Sequence, residues 1–562
     1  MTNNKMGLYV TEIDYGIDQL TQLNALPQEK RDNLKYWPVD YIIHNEEQVY
    51  IGQTISIEKR TKQHVKNNDV GPNMKKITII GQEKFNRSAS YNIETNLINN
   101  FLGDTRFTKI LNKSQTEMTT SSDYYNKAYF DKHVFSALWK KLQEMNLVEL
   151  SLEEIANSDI FKLSPFKSLS DSQLELKQDI LNFCRERIDK PYSSLYLING
   201  EAGTGKSVVL SSIFNAVQTI ARTSKHQVIK DKLACTNNYL LVNHSEMLKT
   251  YKSLARKLST LRVGDFDKPT PFINKMEKKA DQGKSTADIV FVDEAHLLLT
   301  KEDHFNNFYH KNQLEELMHL GKIIVMVFDP YQVLKLKSHW DDLQIKRFVN
   351  NNHGRTFQLT KQFRMQTSQE VIEWINAFTQ KQIIKTLPKN TGNFDFRIFN
   401  NAEEMFKAID DKNKIEKLSR VVATFDYPYS TVGQQDYFIE EGEFKKKWNT
   451  TDSSTTWAER SETINEVGSI YTVQGFDLNY VGVILGPSIY YDSVSGKIQV
   501  NLKEYQDSEA FKSRDDLSDT QIDLEKGKII LNSINVLMKR GVHGLYIYAH
   551  DPNLRKKLLS LN

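Results

Sequence analysis

Cysteine, long apolar runs and a strong net charge are all scarce or missing in this 562-residue sequence. Its two cysteines, Cys184 and Cys235, exclude a disulfide framework and a cysteine-based metal site, and they suit a reducing compartment. No apolar run approaches the roughly 18 residues that cross a bilayer, and the first ten residues lack the apolar core of a signal peptide. We therefore expect a cytoplasmic protein that has no membrane partner.

The net charge of +3 is too small to identify a nucleic-acid partner by itself, because opposite charges can segregate to different faces. The run Lys445–Lys447 is typical of a solvated face. A hydrophobic fraction of 39% and a charged fraction of 26% describe a globular chain with ample core. The length predicts roughly three to four domains.

The most informative stretch is the phosphate-loop pattern between residues 195 and 210. An apolar run at Leu195–Ile198 predicts a buried parallel strand, a glycine-rich loop follows, and a helical run begins at Val208. The loop contains every fixed position of the G-x-x-x-x-G-K-[ST] pattern, in the required strand–loop–helix order. The nucleotide-binding positions are Gly200, Gly203, Thr204, Gly205, Lys206 and Ser207.

These residue types suit a nucleoside triphosphate. Backbone N–H groups of the loop and the helix dipole can hold phosphate oxygens. Lys206 is expected to reach the β- and γ-phosphates of ATP, and Ser207 to ligate Mg²⁺. A second apolar strand, Ala287–Val292, ends in the adjacent acids Asp293 and Glu294. Two acids at a buried strand end are costly without a cation, so we expect Asp293 to hold Mg²⁺ and Glu294 to activate the attacking water.

Further stretches follow in a fixed order. A strand at Ile323–Phe328 precedes Gln332, which can sense the γ-phosphate, and Arg364 follows another strand. Later come an apolar strand at Val421–Ala423, a Thr-Val-Gln-Gly segment, and a basic pair before a β-rich strand. Their chemical positions are Thr472, Gln474 and Arg540.

In this order the stretches resemble the motifs of a superfamily 1 helicase, and most closely the Schlafen-type DNA/RNA helicase-like family with a DEAH box at residues 293–296. The resemblance implies that Arg364 and Arg540 meet the γ-phosphate as arginine fingers. It also implies nucleic-acid contacts, mainly to the sugar–phosphate backbone. Those contacts are assigned to Asn243, Ser245, Thr472 and Gln474.

The same resemblance implies two RecA-like lobes, each a parallel sheet wrapped by helices, with ATP between them. We place the first lobe at residues 161–365 and the second lobe at residues 366–562. Polar inserts are expected near 430–466 and 488–528. The first insert contains Trp448 and Trp457, and it is either a disordered surface loop or a source of base stacking.

Gln173 has two interpretations. Ser170 predicts a helix N-cap, and Gln173 occupies the capping-box position three residues later. Alternatively, the Gln173 amide reads the adenine edge ahead of the phosphate loop. The sequence leaves both interpretations open.

The first 115 residues carry a different pattern. A helical lead-in is expected over 11–36, then two β-rich runs, Val39–Asn45 and Val49–Gly52, predict a hairpin. The next helix places Arg60 and His64 four residues apart, and we expect His64 to be a surface or structural histidine.

A further helix carries Glu94, and Asn112 closes the segment. This order resembles the GIY-YIG endonuclease domain. The resemblance implies that Tyr41 and Tyr50 position or activate water, Arg60 stabilises developing charge and Asn112 supports the site. Glu94 would hold one divalent metal. The first motif departs from the family pattern, with Val39 and Asp40 before the tyrosine.

Residues 116–160 are expected to be a linker and a helix. The segment 114–126 is rich in Ser, Thr and Asn, which favours a linker. Residues 128–147 place Phe130, Val134, Leu138 and Leu142 four apart, which predicts an amphipathic helix with a core-facing stripe.

The fold class predicted is therefore α/β, a small nuclease-like domain followed by two RecA-like lobes. The favoured hypothesis is an ATP-driven translocase or helicase coupled to a metal-dependent endonuclease, acting on DNA rather than RNA. One alternative is a switch that uses ATP and nucleic acid to license the nuclease without unwinding. Another is a nucleic-acid-binding ATPase whose nuclease fold is inactive. A role in defence against foreign DNA follows only by analogy.

Overall fold

The computed structural model describes residues 7–71, 73–112, 124–223, 231–284, 286–340, 342–430, 435–450, 457–473, 476–512, 514 and 516–561. Within these residues the strands form sheets of five, six and seven strands and one separate hairpin. The same residues include no helix that is both long and apolar enough to span a membrane.

The first sheet belongs to the N-terminal part of the chain, and its strand order is β1-β4-β2-β3-β5. Its elements are β1 (Leu8–Asp14), α1 (Gln28–Lys35), β2 (Val39–His44), β3 (Gln48–Thr54), α2 (Ile57–Asn67), β4 (Lys76–Gln82), α3 (Arg87–Gly103) and β5 (Lys109–Ile110). The predicted hairpin is confirmed: β2 and β3 pair antiparallel, with Tyr41 opposite Gly52 and Ile43 opposite Tyr50.

The predicted helical lead-in over 11–36 is partly wrong. It is helical only from the 3₁₀ segment at Asp18–Ala25 onward, and β1 comes first and pairs antiparallel with β4. Tyr9 and Ile13 both face the core at even spacing along β1. This period of two is typical of a strand with one buried face.

The connector between the first and second sheets is helical. Its helices are α4 (Lys127–Tyr129), α5 (Phe135–Glu144), α6 (Leu152–Asn157) and α7 (Asp159–Lys162), and a π-helical stretch joins α4 to α5. The predicted stripe at Phe130, Val134, Leu138 and Leu142 is buried, as a core-facing stripe should be. Most of the predicted linker, 114–126, lies outside the described residues.

The second sheet forms the first lobe. Its order is β11-β6-β10-β9-β7-β8, and its strand pairs are parallel. Its elements are α8 (Asp171–Arg187), β6 (Ser194–Gly200), α9 (Lys206–Thr223), β7 (Asn238–Val242), α10 (Ser245–Lys257), β8 (Phe266–Asp267), α11 (Pro269–Asp281), β9 (Ala287–Asp293), α12 (Gln313–Leu320), β10 (Gly321–Phe328), α13 (Asp342–Asn351) and β11 (Arg355–Leu359). Because the strands are parallel, the polar residues that follow β6, β9 and β10 meet at one edge.

One hydrophobic core joins the first sheet, the connector and the first lobe. It contains Ile42 of β2, Phe101 of α3, Trp139 of α5, Leu176 of α8 and Ile198 of β6. The N-terminal unit is therefore packed onto the first lobe through shared apolar contacts, and burial of such area is the main stabilising contribution to packing.

The third sheet forms the second lobe, in the order β12-β20-β17-β13-β16-β15-β14. Its pairs are parallel apart from the β14–β15 hairpin. The elements are α14 (Gln369–Lys381), β12 (Asp395–Ile398), α15 (Ala402–Glu416), β13 (Arg420–Ala423), β14 (Phe438–Glu441), β15 (Phe444–Trp448), β16 (Glu466–Gly468), α16 (Ile470–Val473), β17 (Leu478–Leu485), β18 (Ile489–Asp492), β19 (Lys497–Val500), α17 (Asp519–Met538), β20 (Gly541–Ala549) and α18 (Pro552–Leu559).

Both interpretations of the first predicted insert, 430–466, are wrong for its described part. β14 and β15 extend the third sheet, so this part is not a disordered loop. Trp448 and Trp457 are 1% and 5% exposed, so they pack in the core and cannot stack on bases. The second predicted insert, 488–528, includes the β18–β19 hairpin and the start of α17, and Arg514 within it donates to Thr300 of the first lobe at 2.8 Å.

Candidate functional site

The loop between β6 and α9 has the shape that a phosphate loop requires. Gly203 and Gly205 have φ values of 85° and 75°, in the left-handed region that favours glycine. A Cβ at Gly203 would lie 2.9 Å from the Arg364 Cβ, and one at Gly205 would lie 2.5 Å from the Gln173 amide nitrogen. Backbone strain and close approach therefore both require glycine here.

Lys206 is turned toward the base of this loop. Its Nζ donates to the carbonyl oxygens of Gly200 at 2.6 Å and Glu201 at 2.8 Å, and to Asp329 Oδ2 at 3.1 Å. Burial would raise the pKa of Asp329, but Lys206 and a hydrogen bond from Gln332 lower it below its usual value. Asp329 therefore stays ionised and holds Lys206 at the loop. Gln332 donates to it at 2.6 Å and also lines the cleft.

Asp293, at the end of β9, is fully buried and has a hydroxyl donor on each oxygen. Ser207 donates to Oδ1 at 3.1 Å, and Tyr251 of α10 donates to Oδ2 at 2.8 Å. Burial and the neighbouring charge of Glu294 raise the pKa of Asp293 above its usual value. A desolvated carboxylate beside a serine hydroxyl is a set of oxygen donors that Mg²⁺ prefers, so these residues fit a Mg²⁺ ion bound with ATP.

Glu294 follows directly, with a φ of 51° that is unusual for a residue other than glycine. Its Oε2 lies 3.1 Å from His296 Nε2, without the alignment of a hydrogen bond. Burial lowers the pKa of His296 to about 4, so this ring is neutral at pH 7. Burial raises the pKa of Glu294, which makes this carboxylate a better proton acceptor.

Two arginines from different elements reach the same place. Arg364 follows β11 and forms an ion pair with Asp477, whereas Arg540 lies between α17 and β20 and is 1% exposed. Arg540 Nη1 donates to the Phe476 carbonyl at 3.1 Å, and its Nε has no hydrogen-bond partner among the residues that the structure describes. Burial, together with the charge of Arg364, lowers the pKa of Arg540 to about 9, so it remains a cation at pH 7. An orphaned, desolvated guanidinium is suited to an incoming phosphate.

These side chains line one cleft between the lobes, which we call the inter-lobe cleft. The sequence-predicted residues that line it are Gly203, Gly205, Lys206, Ser207, Glu294, Gln332, Arg364 and Arg540. Sequence reasoning missed Lys162 and Lys167 of the connector, Met247 and Thr250 of α10, and Asp329. Asp329 could have been found, because it ends a parallel strand beside two other acids. The connector lysines belong to no recognisable pattern.

The amide oxygen and the amide nitrogen of Gln173 make separate hydrogen bonds. The capping box is present, with Ser170 N donating to Gln173 Oε1 at 3.0 Å. The Gln173 amide nitrogen donates to the Thr204 carbonyl of the phosphate loop at 3.2 Å. The capping interpretation is thus confirmed, and the same side chain also fixes the loop. Reading of an adenine edge remains a prediction.

The predicted nucleic-acid contacts are engaged within the protein. Asn243 donates to the Leu297 carbonyl at 2.9 Å, and Ser245 accepts from Lys268 at 2.7 Å. Thr472 is 8% exposed, and its hydroxyl donates to the Ser469 carbonyl at 2.9 Å. Gln474 lies outside the described residues. These hydrogen bonds do not test a nucleic-acid contact, and the role of these side chains stays a prediction.

A second group of polar side chains meets on the first sheet, and we call Tyr41, Tyr50, Arg60, His64 and Glu94 the first-sheet cluster. Tyr41 and Tyr50 stack with ring centroids 6.3 Å apart. Arg60 Nε donates to the Tyr41 hydroxyl at 3.2 Å, and His64 Nε2 lies 2.8 Å from the same oxygen.

The packing around this cluster is tight. A Cβ at Gly52 would lie 2.4 Å from the Tyr41 hydroxyl, which explains the glycine. His64 is 1% exposed and its Nδ1 lies 2.5 Å from Asp69 Oδ1, so the surface interpretation of His64 is wrong. Asn112 exchanges two hydrogen bonds with the backbone of Ile51, at 2.7 and 3.1 Å. It therefore supports β3 beside Tyr50.

The buried acids of this region, Glu94 and Asp40, are poorly compensated by neighbouring positive charge. Burial raises the pKa of Glu94 to about 7, and Arg60 opposes part of that rise. Asp40 is fully buried and accepts from Ser90 Oγ at 3.2 Å, while its Oδ2 meets no hydrogen-bond partner within the described part of the chain. Burial, followed by the charge of Glu94, raises the pKa of Asp40. A divalent cation beside Glu94 would stabilise the ionised form of both carboxylates.

Comparisons with known proteins place the lobes in a family. The model of the Schlafen group 3 DNA/RNA helicase domain matches residues 193–551. The uncharacterized protein YPL245W of Saccharomyces cerevisiae is 40% identical over 420 residues, which cover 70% of this chain and 90% of the yeast protein.

Likenesses to solved structures are weaker. The Pif1 helicase of Candida albicans covers 67% of this chain and 95% of its own, with 12% identity and a TM-score of 0.28. The Mycobacterium smegmatis helicase Lhr, bound to ssDNA and AMP-PNP, covers 70% of this chain and 45% of its own, with 8% identity and a TM-score of 0.25. Such scores do not establish a shared fold, so the assignment depends on the family match and the yeast relative. The chain belongs to the Schlafen group 3 family of DNA/RNA helicase domains.

Proposed function

We propose that the two lobes form a nucleic-acid-dependent ATPase of helicase type, and that the first sheet carries a metal-dependent endonuclease. The observation that carries the ATPase is the inter-lobe cleft, where Lys206, Glu294 and Arg540 converge from separate elements. The observation that carries the nuclease is the first-sheet cluster. Membership of a helicase family supports the first part, and the GIY-YIG resemblance supports the second.

In the ATPase, Lys206 exchanges the Gly200 and Glu201 carbonyls for phosphate oxygens of ATP. Ser207 and Asp293 hold Mg²⁺, which neutralises charge on the phosphates when bound. Glu294 takes the proton of the attacking water, because burial makes it a stronger base. Arg364 and Arg540 stabilise the charge that develops on the γ-phosphate, and desolvation strengthens that interaction.

The first experiment measures phosphate release by the purified chain with single- and double-stranded DNA and RNA and Mg²⁺. Lys206→Ala should abolish hydrolysis, since it removes the amine that meets the phosphates. Lys322→Met is the matched control, because Lys322 is an exposed lysine of the first lobe paired with Asp288 at 2.8 Å. Hydrolysis by Lys206→Ala at the wild-type rate would refute the ATPase.

In the nuclease, Glu94 holds the divalent metal that polarises the scissile phosphate, and Arg60 stabilises the charge on its oxygens. Tyr41 sits between Arg60 and His64, so its hydroxyl is placed to orient or deprotonate the attacking water. The guanidinium favours the ionised phenol, whereas burial opposes it and raises the pKa of Tyr41 overall. A divalent metal held by Glu94 would favour the ionised phenol of Tyr41, as Arg60 does.

Cleavage of labelled nucleic acid tests the nuclease separately. Glu94→Gln should abolish cleavage and leave ATP hydrolysis unchanged, because the cluster and the inter-lobe cleft share no residue. Glu58→Gln is the control, an exposed acid on α2 that pairs with Lys35 at 3.1 Å. Cleavage that survives in Glu94→Gln would show that the metal is held elsewhere. If the wild-type protein also fails to cleave, the nuclease fold is inactive.

A second candidate, a switch that licenses the nuclease without unwinding, is favoured by the shared hydrophobic core. The first sheet, the connector and the first lobe pack as one body, so the state of the nucleotide site can act on the nuclease directly. Strand displacement on a tailed duplex separates the candidates. A switch hydrolyses ATP when nucleic acid is added and separates no strands.

A further inference from the structure

Helix α10 touches both candidate sites. It begins directly after β7, where the side chain of His244 caps it by accepting from Met247 N at 3.4 Å. It contains 13 residues, a length of about 20 Å at 1.5 Å per residue. No residue of α10 belongs to the phosphate-loop, strand-end or arginine motifs described above.

The middle of α10 meets the nucleotide site through Tyr251. This residue is fully buried, stacks on Phe266 with centroids 5.6 Å apart, and donates its hydroxyl to Asp293 Oδ2 at 2.8 Å. Ser207 occupies the other oxygen of Asp293, so the carboxylate is held from both sides. Met247, one turn earlier, and Thr250, directly before Tyr251, line the inter-lobe cleft.

The end of α10 meets the N-terminal unit. Lys257 Nζ donates to the Leu102 carbonyl at 2.8 Å and to the Asp104 carbonyl, at the end of α3. These carbonyls lie where a helix leaves its last acceptors unpaired, and a lysine there also complements the helix dipole. The helix that carries Glu94 is therefore fastened to α10.

A second connection lies beside the first. Leu258, directly after α10, forms a parallel β-bridge with Ile110 of β5. Lys109 Nζ donates to the Leu258 carbonyl at 3.2 Å. Two residues after Ile110, Asn112 clamps the backbone of Ile51 next to Tyr50.

We propose that Tyr251 is a positioning residue for Asp293, and that α10 conveys the binding of Mg²⁺ and nucleotide to the first-sheet cluster through Lys257 and Leu258. Tyr251 and Lys257 are six residues apart, about 9 Å along one rigid helix. A rotation of Asp293 toward the metal moves the Tyr251 hydroxyl with it, and the helix passes that displacement to α3 and β5. The coupling to cleavage depends on the proposed nuclease, whereas the positioning of Asp293 does not.

The positioning role is tested by removing the Tyr251 hydroxyl alone. Binding of a fluorescent ATP analogue is titrated with Mg²⁺ for wild type and Tyr251→Phe. Loss of a hydrogen bond to a metal ligand typically weakens metal binding by 10- to 100-fold, so we expect Tyr251→Phe to need at least about tenfold more Mg²⁺. Its thermal midpoint should stay close to that of wild type.

Tyr239→Phe is the matched control, a half-buried tyrosine on β7 that packs on Phe272 and should leave the Mg²⁺ requirement unchanged. A Tyr251→Phe protein with the wild-type Mg²⁺ requirement would overturn the positioning role. If Tyr251→Phe unfolds, the wild-type chain decides: slower hydrogen exchange of the α10 amides on addition of Mg²⁺ and the ATP analogue supports the role, and unchanged exchange opposes it.

The communication is tested by hydrogen exchange of backbone amides in residues 100–112, with and without Mg²⁺ and the ATP analogue. Wild type should show severalfold slower exchange there when the ligands are bound. Lys257→Met should lose this response and keep its nucleotide affinity. Arg256→Met, an exposed neighbour on the same helix, should respond like wild type.

The proposed coupling through α10 would be overturned if hydrogen exchange of residues 100–112 did not respond to the ligands in wild type. An equal response in Lys257→Met would also overturn it. Cleavage by wild type with and without nucleotide is measured alongside. If cleavage is absent both with and without nucleotide, the nuclease proposal fails, while the Mg²⁺ titration and the exchange data still decide whether α10 joins the two regions.

Discussion

At the inter-lobe cleft, two acids face cations of their own: buried Asp329 faces Lys206, and half-buried Asp477 faces Arg364. The pKa of Asp293 at the same site is raised by burial and by the charge of Glu294. In the first sheet, Asp40 and Glu94 act on each other, and Arg60 is the cation that opposes the raised pKa of Glu94. The pKa of Asp329 is accordingly lowered and that of Glu94 raised. A buried carboxylate with its own cation keeps its charge without a ligand, whereas a poorly compensated pair requires a proton or a metal.

The difference implies that Asp329 is ionised before ATP binds, and that the nuclease site becomes fully charged only when its metal binds. Arg540, with a pKa of about 9, is a cation at neutral pH before nucleotide arrives. Glu94 at pH 7 is about half protonated, given its pKa of about 7. The two sites should therefore respond differently to the loss of one charged group and to pH.

The largest expected effect is the loss of Arg540. Arg540→Ala removes a cation that arrives from the second lobe, and we expect kcat for ATP hydrolysis to fall by about 10³-fold, as for arginine fingers in phosphoryl transfer. Nucleotide binding should change little, because Lys206 and the phosphate loop remain. Steady-state hydrolysis and equilibrium binding of an ATP analogue measure the two quantities.

Arg347→Ala, at an exposed position on α13, is the control for loss of an arginine and should match wild type. If Arg540→Ala bound the nucleotide more weakly and kept its kcat, Arg540 would contribute to binding of ATP and not to its hydrolysis. The inter-lobe cleft would then need its ligand for charge balance, as the first sheet does.

The two regions also differ in how far the sequence predicted them. The phosphate loop, Asp293, Glu294, Arg364 and Arg540 all belong to local patterns whose spacing is fixed by a strand and the turn after it. The structure places the glycines in the required conformation and puts the charged side chains around one cleft. Lys167 and Tyr251 were not predicted, because their roles depend on side chains more than 40 residues away in the chain. Asp329 was missed although its place at the end of a parallel strand could have indicated it.

On the first sheet, the order of Tyr41, Tyr50, Arg60 and Glu94 predicted a cluster, and the predicted hairpin was confirmed. The buried position of His64 could not be predicted, since it depends on Asp69 and on the packing of α2 over β2. The strand β1 was missed because its period of two is interrupted by polar residues. The burial of Trp448 and Trp457 was not predicted, because the polar residues around them obscure the pattern of the strands at this edge of the sheet.

The second prediction concerns pH. Because burial raises the pKa of Glu94 to about 7, its ionised form is lost below that pH, and cleavage should fall about tenfold per pH unit below 7 at limiting metal. Above pH 7 the carboxylate is charged and the rate should level off. Single-turnover cleavage between pH 5.5 and about 8.5 gives the profile.

Raising the metal concentration should move this midpoint to lower pH, because metal and proton compete for the same oxygen atoms. ATP hydrolysis by the same preparation is measured at each pH, and it shows whether the protein loses its structure in general. A cleavage profile that is flat through pH 7 would show that Glu94 is charged in the free protein, and the contrast between the two regions would then disappear.

The smallest expected effect concerns stability and Asp40. The pKa of this buried acid is raised in the folded state, so the folded protein holds the proton more tightly than the unfolded chain. Stability is therefore highest below the ordinary pKa of an aspartate and falls as pH rises toward the folded-state pKa. Asp40→Asn keeps an acceptor for Ser90 Oγ and removes this penalty, and we expect about 1–3 kcal/mol of added stability at pH 7.

Calorimetry of wild type and Asp40→Asn at pH 5 and pH 7 measures the difference, which should be larger at pH 7. Asp14→Asn is the control, an exposed acid of β1 paired with Lys76 at 2.8 Å, and it should give no gain. Saturating divalent metal should narrow the gap between wild type and Asp40→Asn, because a cation near Glu94 compensates the same charge. An Asp40→Asn protein less stable than wild type at pH 7 would mean that Asp40 is ionised and compensated, as Asp329 is in the inter-lobe cleft.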